Sequence, residues 1–166
     1  MPKVRSNLVV GKNGMTTKAG SSKGLSSRED RRKFHELRGL SEVILIGGST
    51  YQSEPYAKCP LPIYVSTRSP SPKIDEVHFY KLSPVQLIER AIADGFHQIL
   101  IEGGVEFLRE LISNSLIDEI HITRSNQEGD SDKFDEGDLQ SKYQLSSNVF
   151  ENETSFEVWE PLIQQR

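Results

Sequence analysis

The sequence predicts an α/β fold, with a mostly parallel central sheet flanked by helices and closed by a C-terminal antiparallel hairpin. Three observations predict it. Short β-branched runs alternate with segments of helical spacing, the pattern of a sheet covered by helices. Two of those runs, Val43-Ile44-Leu45-Ile46 and Ile99-Leu100-Ile101, are apolar at every position, as strands buried on both faces are. The last two candidate strands instead alternate apolar and polar side chains across a short turn, which marks an antiparallel pair.

Taken in order, Val4 to Val10 reads as the first strand, followed by a Gly/Ser/Lys/Thr-rich loop from Gly11 to Gly24 with no apolar periodicity. Ser26 and Ser27 then offer a cap, Glu29 and Asp30 favour the positive end of a helix, and Phe34, Leu37 and Leu40 give it an apolar face. This predicts a helix from Ser27 to Arg38. The strand Val43–Gly47 leads into a short helix, Ser49 to Glu54, stopped by Pro55. Strands follow at Pro62–Thr67 and Val77–Tyr80, and Ser83-Pro84 opens a helix that Gly95 ends. The run Ile99–Ile101 stops at Glu102-Gly103-Gly104 and passes into a helix from Val105 to Ile112. Ile117 to Thr123 is a further strand, and the acidic stretch Arg124 to Ser141 reads as a solvated loop. Tyr143–Phe150 and Ser155–Pro161 form the closing hairpin, turning near Asn152.

Composition narrows the function. A chain of 166 residues with 35% hydrophobic and 27% charged residues suits a single domain spanning 1–166. A net charge of −4 lacks the basic balance of a nucleic-acid binder, so no nucleic-acid partner is expected. The lone Cys59 offers neither an internal disulfide nor a metal-binding pattern, which fits a reducing, cytoplasmic setting without a metal. No apolar stretch approaches the roughly 20 residues of a spanning helix, and no membrane partner is expected. Two copies pairing through a sheet edge would give a homodimer.

Ligands of mostly parallel sheets bind beyond the carboxyl ends of the strands. Three features collect there: Gly47-Gly48-Ser49-Thr50, Ser66-Thr67-Arg68 and Glu102-Gly103-Gly104. A lone diglycine often serves only a tight turn. Together these segments offer backbone N–H groups, hydroxyls and a guanidinium, which is the donor set for a small molecule bearing several phosphates.

With these residues in place, the chain resembles the dihydrofolate reductase superfamily. The likeness is carried by Val43-Ile44-Leu45-Ile46-Gly47-x-x-Thr50, Ile63-Tyr64-Val65-Ser66-Thr67-Arg68, Ile101-Glu102-Gly103-Gly104 and Ser155-Phe156-Glu157-Val158-Trp159-Glu160. Within it, Asn13-Gly14-Met15-Thr16-Thr17 and the segment Leu25-Ser26-Ser27-Arg28-Glu29-Asp30 through Phe34-His35-Glu36-Leu37-Arg38 resemble the pyrimidine reductase domain of riboflavin biosynthesis. The Glu-Gly-Gly form at 102–104 points the same way. Departures are Met15 in place of a basic residue and a shorter continuation after Thr50, with Glu54 where Asp is expected.

The resemblance implies a dihydrofolate-reductase-like fold and hydride transfer from NADPH to a phosphoribosylamino-pyrimidine, a small-molecule substrate. It places Gly47, Gly48, Ser49, Thr50, Ser66, Thr67, Arg68, Glu102, Gly103, Gly104, Val105 and Phe107 against the cofactor. Arg68 would pair with the 2′-phosphate. Asp30 is the implied acidic group for protonation, one helical turn from Phe34 and on nearly the same face. Thr123 stands where folate reductases support that carboxylate with a hydroxyl, and Ser26, Ser27, Phe34, Arg38 and Glu54 are implied substrate contacts, with Arg38 on the phosphate. Two other readings stay open: a dihydrofolate or other pterin reductase, and a nucleotide-binding protein of this fold without catalysis.

Overall fold

Local signals start and stop the first and third helices close to where the sequence predicts. The computed structural model describes residues 1–54, 56, 59–102 and 104–162. Pro55 and Gly103, the predicted helix stop and half of the diglycine, lie outside the described residues. The chain runs β1 (Lys3–Val10), β2 (Met15–Thr17), α1 (Arg28–Gly39), β3 (Val43–Gly47), α2 (Gly48–Ser53), β4 (Ile63–Ser66), β5 (Val77–Tyr80) and α3 (Pro84–Ala93). It continues through β6 (Gln98–Ile101), α4 (Val105–Ser113), β7 (Glu119–Arg124), β8 (Ser131–Lys133), α5 (Glu136–Lys142), β9 (Tyr143–Glu151) and β10 (Thr154–Pro161).

Ser27 caps α1 by accepting from the Asp30 N–H, and Ser83 with Gln86 makes a full capping box on α3. At the other end of α3, the Gly95 N–H donates to Ile92 O and the Phe96 N–H to Ala91 O. That paired closure needs a left-handed residue, and Gly95 sits at φ +97°.

The main sheet has eight strands in the order β5-β4-β3-β6-β1-β7-β10-β9. From β5 to β7 all neighbours are parallel, whereas β10 runs antiparallel to both β7 and β9. The continuous apolar run of β3 is explained by its position: Val43 and Leu45 pack into the core on one face, Ile44 and Ile46 into the core on the other. The β9–β10 turn uses Asn152 and Glu153 at φ 48° and 64°, the paired positive values of a hairpin turn that matches strand twist. Among the described residues, no helix is long and apolar enough to cross a membrane.

Two segments depart from the sequence reading. The loop 11–24 holds β2, which pairs with β8 inside the stretch 124–141. That stretch is not a solvated loop throughout. It also contains α5, capped by Asp135, and buries Phe134 and Leu139. Two apolar anchors among so many acidic residues leave no periodicity to read, and three-residue strands need a partner more than a pattern. Gly129 sits at the crossing: a Cβ there would meet Thr17 O at 2.5 Å.

The hydroxyl of Tyr143 donates to Ile117 O at 2.9 Å and accepts from Ile117 N at 3.1 Å, tying the start of β9 to the entry of β7. Tyr143→Phe leaves both buried backbone groups without that partner. The expected loss is about 1–3 kcal/mol, measured as a lower urea midpoint with an unchanged slope.

Candidate active site

The shared direction of the parallel strands gathers their carboxyl ends along one edge, and a cleft of about 1400 Å³ opens there. That volume exceeds the few hundred Å³ typical of a single small ligand and suits a dinucleotide with a second molecule beside it. Residues of β1, α1, the loops after β3, β4, β5 and β6, and the start of α4 line it.

The floor is an ion pair. Arg38 Nε and one terminal nitrogen donate to the two oxygens of Glu102, each at 2.8 Å. The Glu102 side chain is only 2% exposed, and the Tyr56 hydroxyl adds a bond at 3.2 Å. The Arg38 guanidinium also lies 4.2 Å from the centroid of the Phe34 ring. Burial alone would lower the Arg38 pKa, but the Glu102 carboxylate more than offsets it and holds it above its ordinary value. Burial, reinforced by the Glu102 charge, drives the Tyr56 phenol well above the usual range. The predicted cofactor contact Glu102 and the predicted phosphate contact Arg38 are therefore each other's partners.

Asp30 projects from the first turn of α1 into the cleft and is 7% exposed. Its Oδ2 accepts from Ser26 Oγ at 2.6 Å, while Oδ1 is buried without a partner among the described residues. Asn7 Oδ1 in β1 is a second buried polar atom without a partner, and Asn7 also lines the cleft. Buried polar atoms are nearly always satisfied, so two unsatisfied ones along one cleft mark where a ligand's polar groups belong. Asn7 carries no motif signal, and among the polar residues Lys3, Arg5 and Ser6 of the same strand nothing in the sequence singles it out.

Thr123 does not join Asp30. It is buried in β7 between Val9 and Phe156 and lines a separate small recess with His121, so Ser26 is the hydroxyl that supports the carboxylate. Ser27 is occupied as the α1 cap. Glu54 lines the cleft, but its Oε1 accepts from the Ser22 N–H and ties α2 to the first loop. Phe34 lines the cleft as expected.

On the cofactor side, Gly47, Ser49, Thr50, Ser66, Thr67, Arg68, Gly104, Val105 and Phe107 all line the cleft. Gly48 packs against Ser66 O and Thr67. The Gly104 N–H is not bare: it donates to Thr50 Oγ1 at 2.8 Å. A Cβ on Gly104 would stand 3.1 Å from that oxygen, so the glycine serves the close approach of two loops. No side chain caps α4, and its first residues, Val105 to Phe107, line the cleft.

No family model matches the sequence, and no curated protein matches it. Solved structures do match. The chain superposes with TM-score 0.78 and 16% identity on a diaminohydroxyphosphoribosylaminopyrimidine deaminase/5-amino-6-(5-phosphoribosylamino)uracil reductase of Thermotoga maritima, covering 97% of this chain and 57% of that one. A pyrimidine reductase-like protein of Corynebacterium diphtheriae gives TM-score 0.78 at 17% identity, covering 98% of this chain and 93% of the other. A dihydrofolate reductase of Enterococcus faecalis complexed with NADP(H) and RAB-propyl gives 0.70 at 18%, covering 96% of each. The fold is thus dihydrofolate-reductase-like. It is shared with pyrimidine reductases and with dihydrofolate reductase, as the sequence resemblance implies.

Glu102→Gln weakens the floor and leaves the Arg38 cation half-paired at a buried site. The expected cost approaches the low end of the roughly 3–5 kcal/mol seen when a buried pair is broken, read by urea unfolding. Replacing both Arg38 and Glu102 by Met recovers most of that loss.

Proposed function

We propose that the chain is an NADPH-dependent reductase of a phosphoribosylamino-pyrimidine in riboflavin biosynthesis. The observation that carries this reading is Asp30: a buried carboxylate with one oxygen held by Ser26 and the other unpartnered, in a cleft large enough for a dinucleotide and a heterocycle. A heterocycle edged with N–H groups gives Oδ1 the donor it lacks. Asn7 supplies the next polar contact along β1, and its amide offers either a donor or an acceptor.

The residues on the other side fit the cofactor. The uncapped start of α4 and the Ser66-Thr67-Arg68 segment supply N–H, hydroxyl and guanidinium groups for phosphates. Ser66 Oγ donates to Leu82 O at 2.6 Å, which fixes the loop that carries Arg68. When bound, the nicotinamide supplies the hydride. The chain itself holds the substrate ring on Asp30 and Asn7, excludes water with Phe34 and the Arg38–Glu102 floor, and keeps a proton-exchanging carboxyl within reach of the ring.

Loss of NADPH absorbance with the phosphoribosylamino-pyrimidine, and not with dihydrofolate, is the expected result. The reverse preference establishes a pterin reductase instead, and tight NADPH binding without turnover of either overturns catalysis. Asp30→Asn is expected to lower kcat by about 10²–10⁴-fold with unfolding little changed. Arg68→Ala is expected to raise the KM for NADPH about tenfold and to leave that for NADH nearly unaltered.

A further inference from the structure

Of the four histidines, His121 alone is buried, and the reductase reading gives it no task. It stands in β7 beside the small recess between α1 and the closing hairpin. Its Nε2 lies 3.1 Å from Glu119 Oε2, and Lys3 and Arg5 reach the same carboxylate at 2.9 and 3.2 Å. Burial of Glu119 is outweighed by the bonds and charges of Lys3 and His121, which hold its pKa down to about 2. An ionised carboxylate can only accept, so the proton of a neutral His121 is on Nε2 and Nδ1 is left as a bare acceptor. Burial favours that neutral ring: it lowers the His121 pKa, Glu119 offsets it only in part, and Lys33 and Arg5 push the same way as burial. The charged side chains that line the recess beside the ring are paired, Arg32 with Glu151, Lys33 with Glu36 and Glu157 with Arg124.

His121 Nδ1 is buried without a partner among the described residues, and so is Asn7 Oδ1. The two residues are register partners in the parallel ladder of β1 and β7, so their side chains leave one face of the sheet on strands about 4.8 Å apart. On the other side of His121 the register partner is Val158 of β10, which is apolar. Asn7 is therefore the polar side chain that flanks the ring across the sheet. With Oδ1 inward, acceptor stands beside acceptor. The two ends of an amide have nearly the same shape, and turning it over sets a donor beside the bare nitrogen.

We propose that His121 is a positioning residue for Asn7: its Nδ1 accepts a hydrogen bond from the Asn7 amide nitrogen, and the amide in turn presents Oδ1 to the cleft. Asp30 and Asn7 then form a pair of acceptors, and the ligand edge that meets them carries two donors. A ring that brings a carbonyl to Asn7 sets two oxygens against each other and is disfavoured. This rests on the reductase reading for the identity of the heterocycle, whereas the tautomer of His121 and the direction of the amide belong to the chain alone.

The test is NMR of the isotope-labelled full chain without ligand. The expected spectra show His121 with its proton on Nε2, a hydrogen-bonded Nδ1 and an Asn7 amide proton that exchanges slowly. A proton on Nδ1, or fast exchange of both Asn7 amide protons, overturns the proposal. Asn7→Asp offers Nδ1 only acceptors, so the ring takes up a second proton and its titration midpoint rises by about one pH unit or more. Asn7→Leu removes the partner without adding a charge and does not raise it. An unchanged midpoint in Asn7→Asp also overturns the proposal. In turnover, His121→Leu raises the KM for the pyrimidine about tenfold and largely spares kcat, and His121→Asn, whose Oδ1 stands in the place of Nδ1, restores it. Equal KM in the wild type and His121→Leu, or no recovery in His121→Asn, overturns the role in binding. If the spectra are as expected while NADPH is not consumed with the pyrimidine, the reductase reading fails and the positioning of Asn7 stands.

Discussion

A carboxylate buried at the end of a central strand has to be neutralised, and the architecture of the cleft depends on how that is done. Glu102 follows β6, in the middle of the sheet, and its partner comes from the last turn of α1. The pairing fixes how α1 lies over the strand ends, sets Phe34 against the guanidinium and brings the Tyr56 hydroxyl into the same network. A bidentate contact tolerates little rotation, so the position of Asp30, two turns earlier on the same helix, follows from it. Such a pair adds little net stability compared with apolar packing, and its contribution here is orientation.

The parallel sheet and its helices were legible because their signals are local and redundant. β3 and the Ile99–Ile101 run of β6 announce themselves as apolar at successive positions, and α3 carries Ser83, Pro84 and Gly95 at its ends. β2 and β8 were not legible, since three-residue strands take their order from pairing across more than a hundred positions of chain, and α5 was not because Leu139 is its one buried residue. Sequence periodicity reports burial of one face, and a ribbon of two three-residue strands is too short to show one.

The site was legible by residue type and only partly by role. Gly47, Thr50, Ser66, Thr67, Arg68, Asp30 and Phe34 do gather at one cleft, because strand ends converge in any parallel sheet. What one sequence cannot disclose is which polar groups consume one another. Arg38 with Glu102, Gly104 with Thr50, Glu54 with Ser22 and Ser27 with its own helix are each satisfied internally. Of the buried polar atoms without a partner among the described residues, Asn7 Oδ1 and Asp30 Oδ1 belong to residues that line the cleft, and the two conditions together single out a ligand contact.

The bond between the Gly104 N–H and Thr50 Oγ1 reaches beyond its two residues. It fastens the loop after β6 to the helix after β3, so the two segments of that wall are held to each other. The ordering entropy of that wall is lost when the chain folds and not when a ligand arrives. The opposite wall, formed by the first loop and α1, is tied to α2 through Glu54 and Ser22. With α1 also held by the Arg38–Glu102 pair and the first loop by β8, both walls are cross-linked before a ligand arrives, and the cleft as a whole is preorganised.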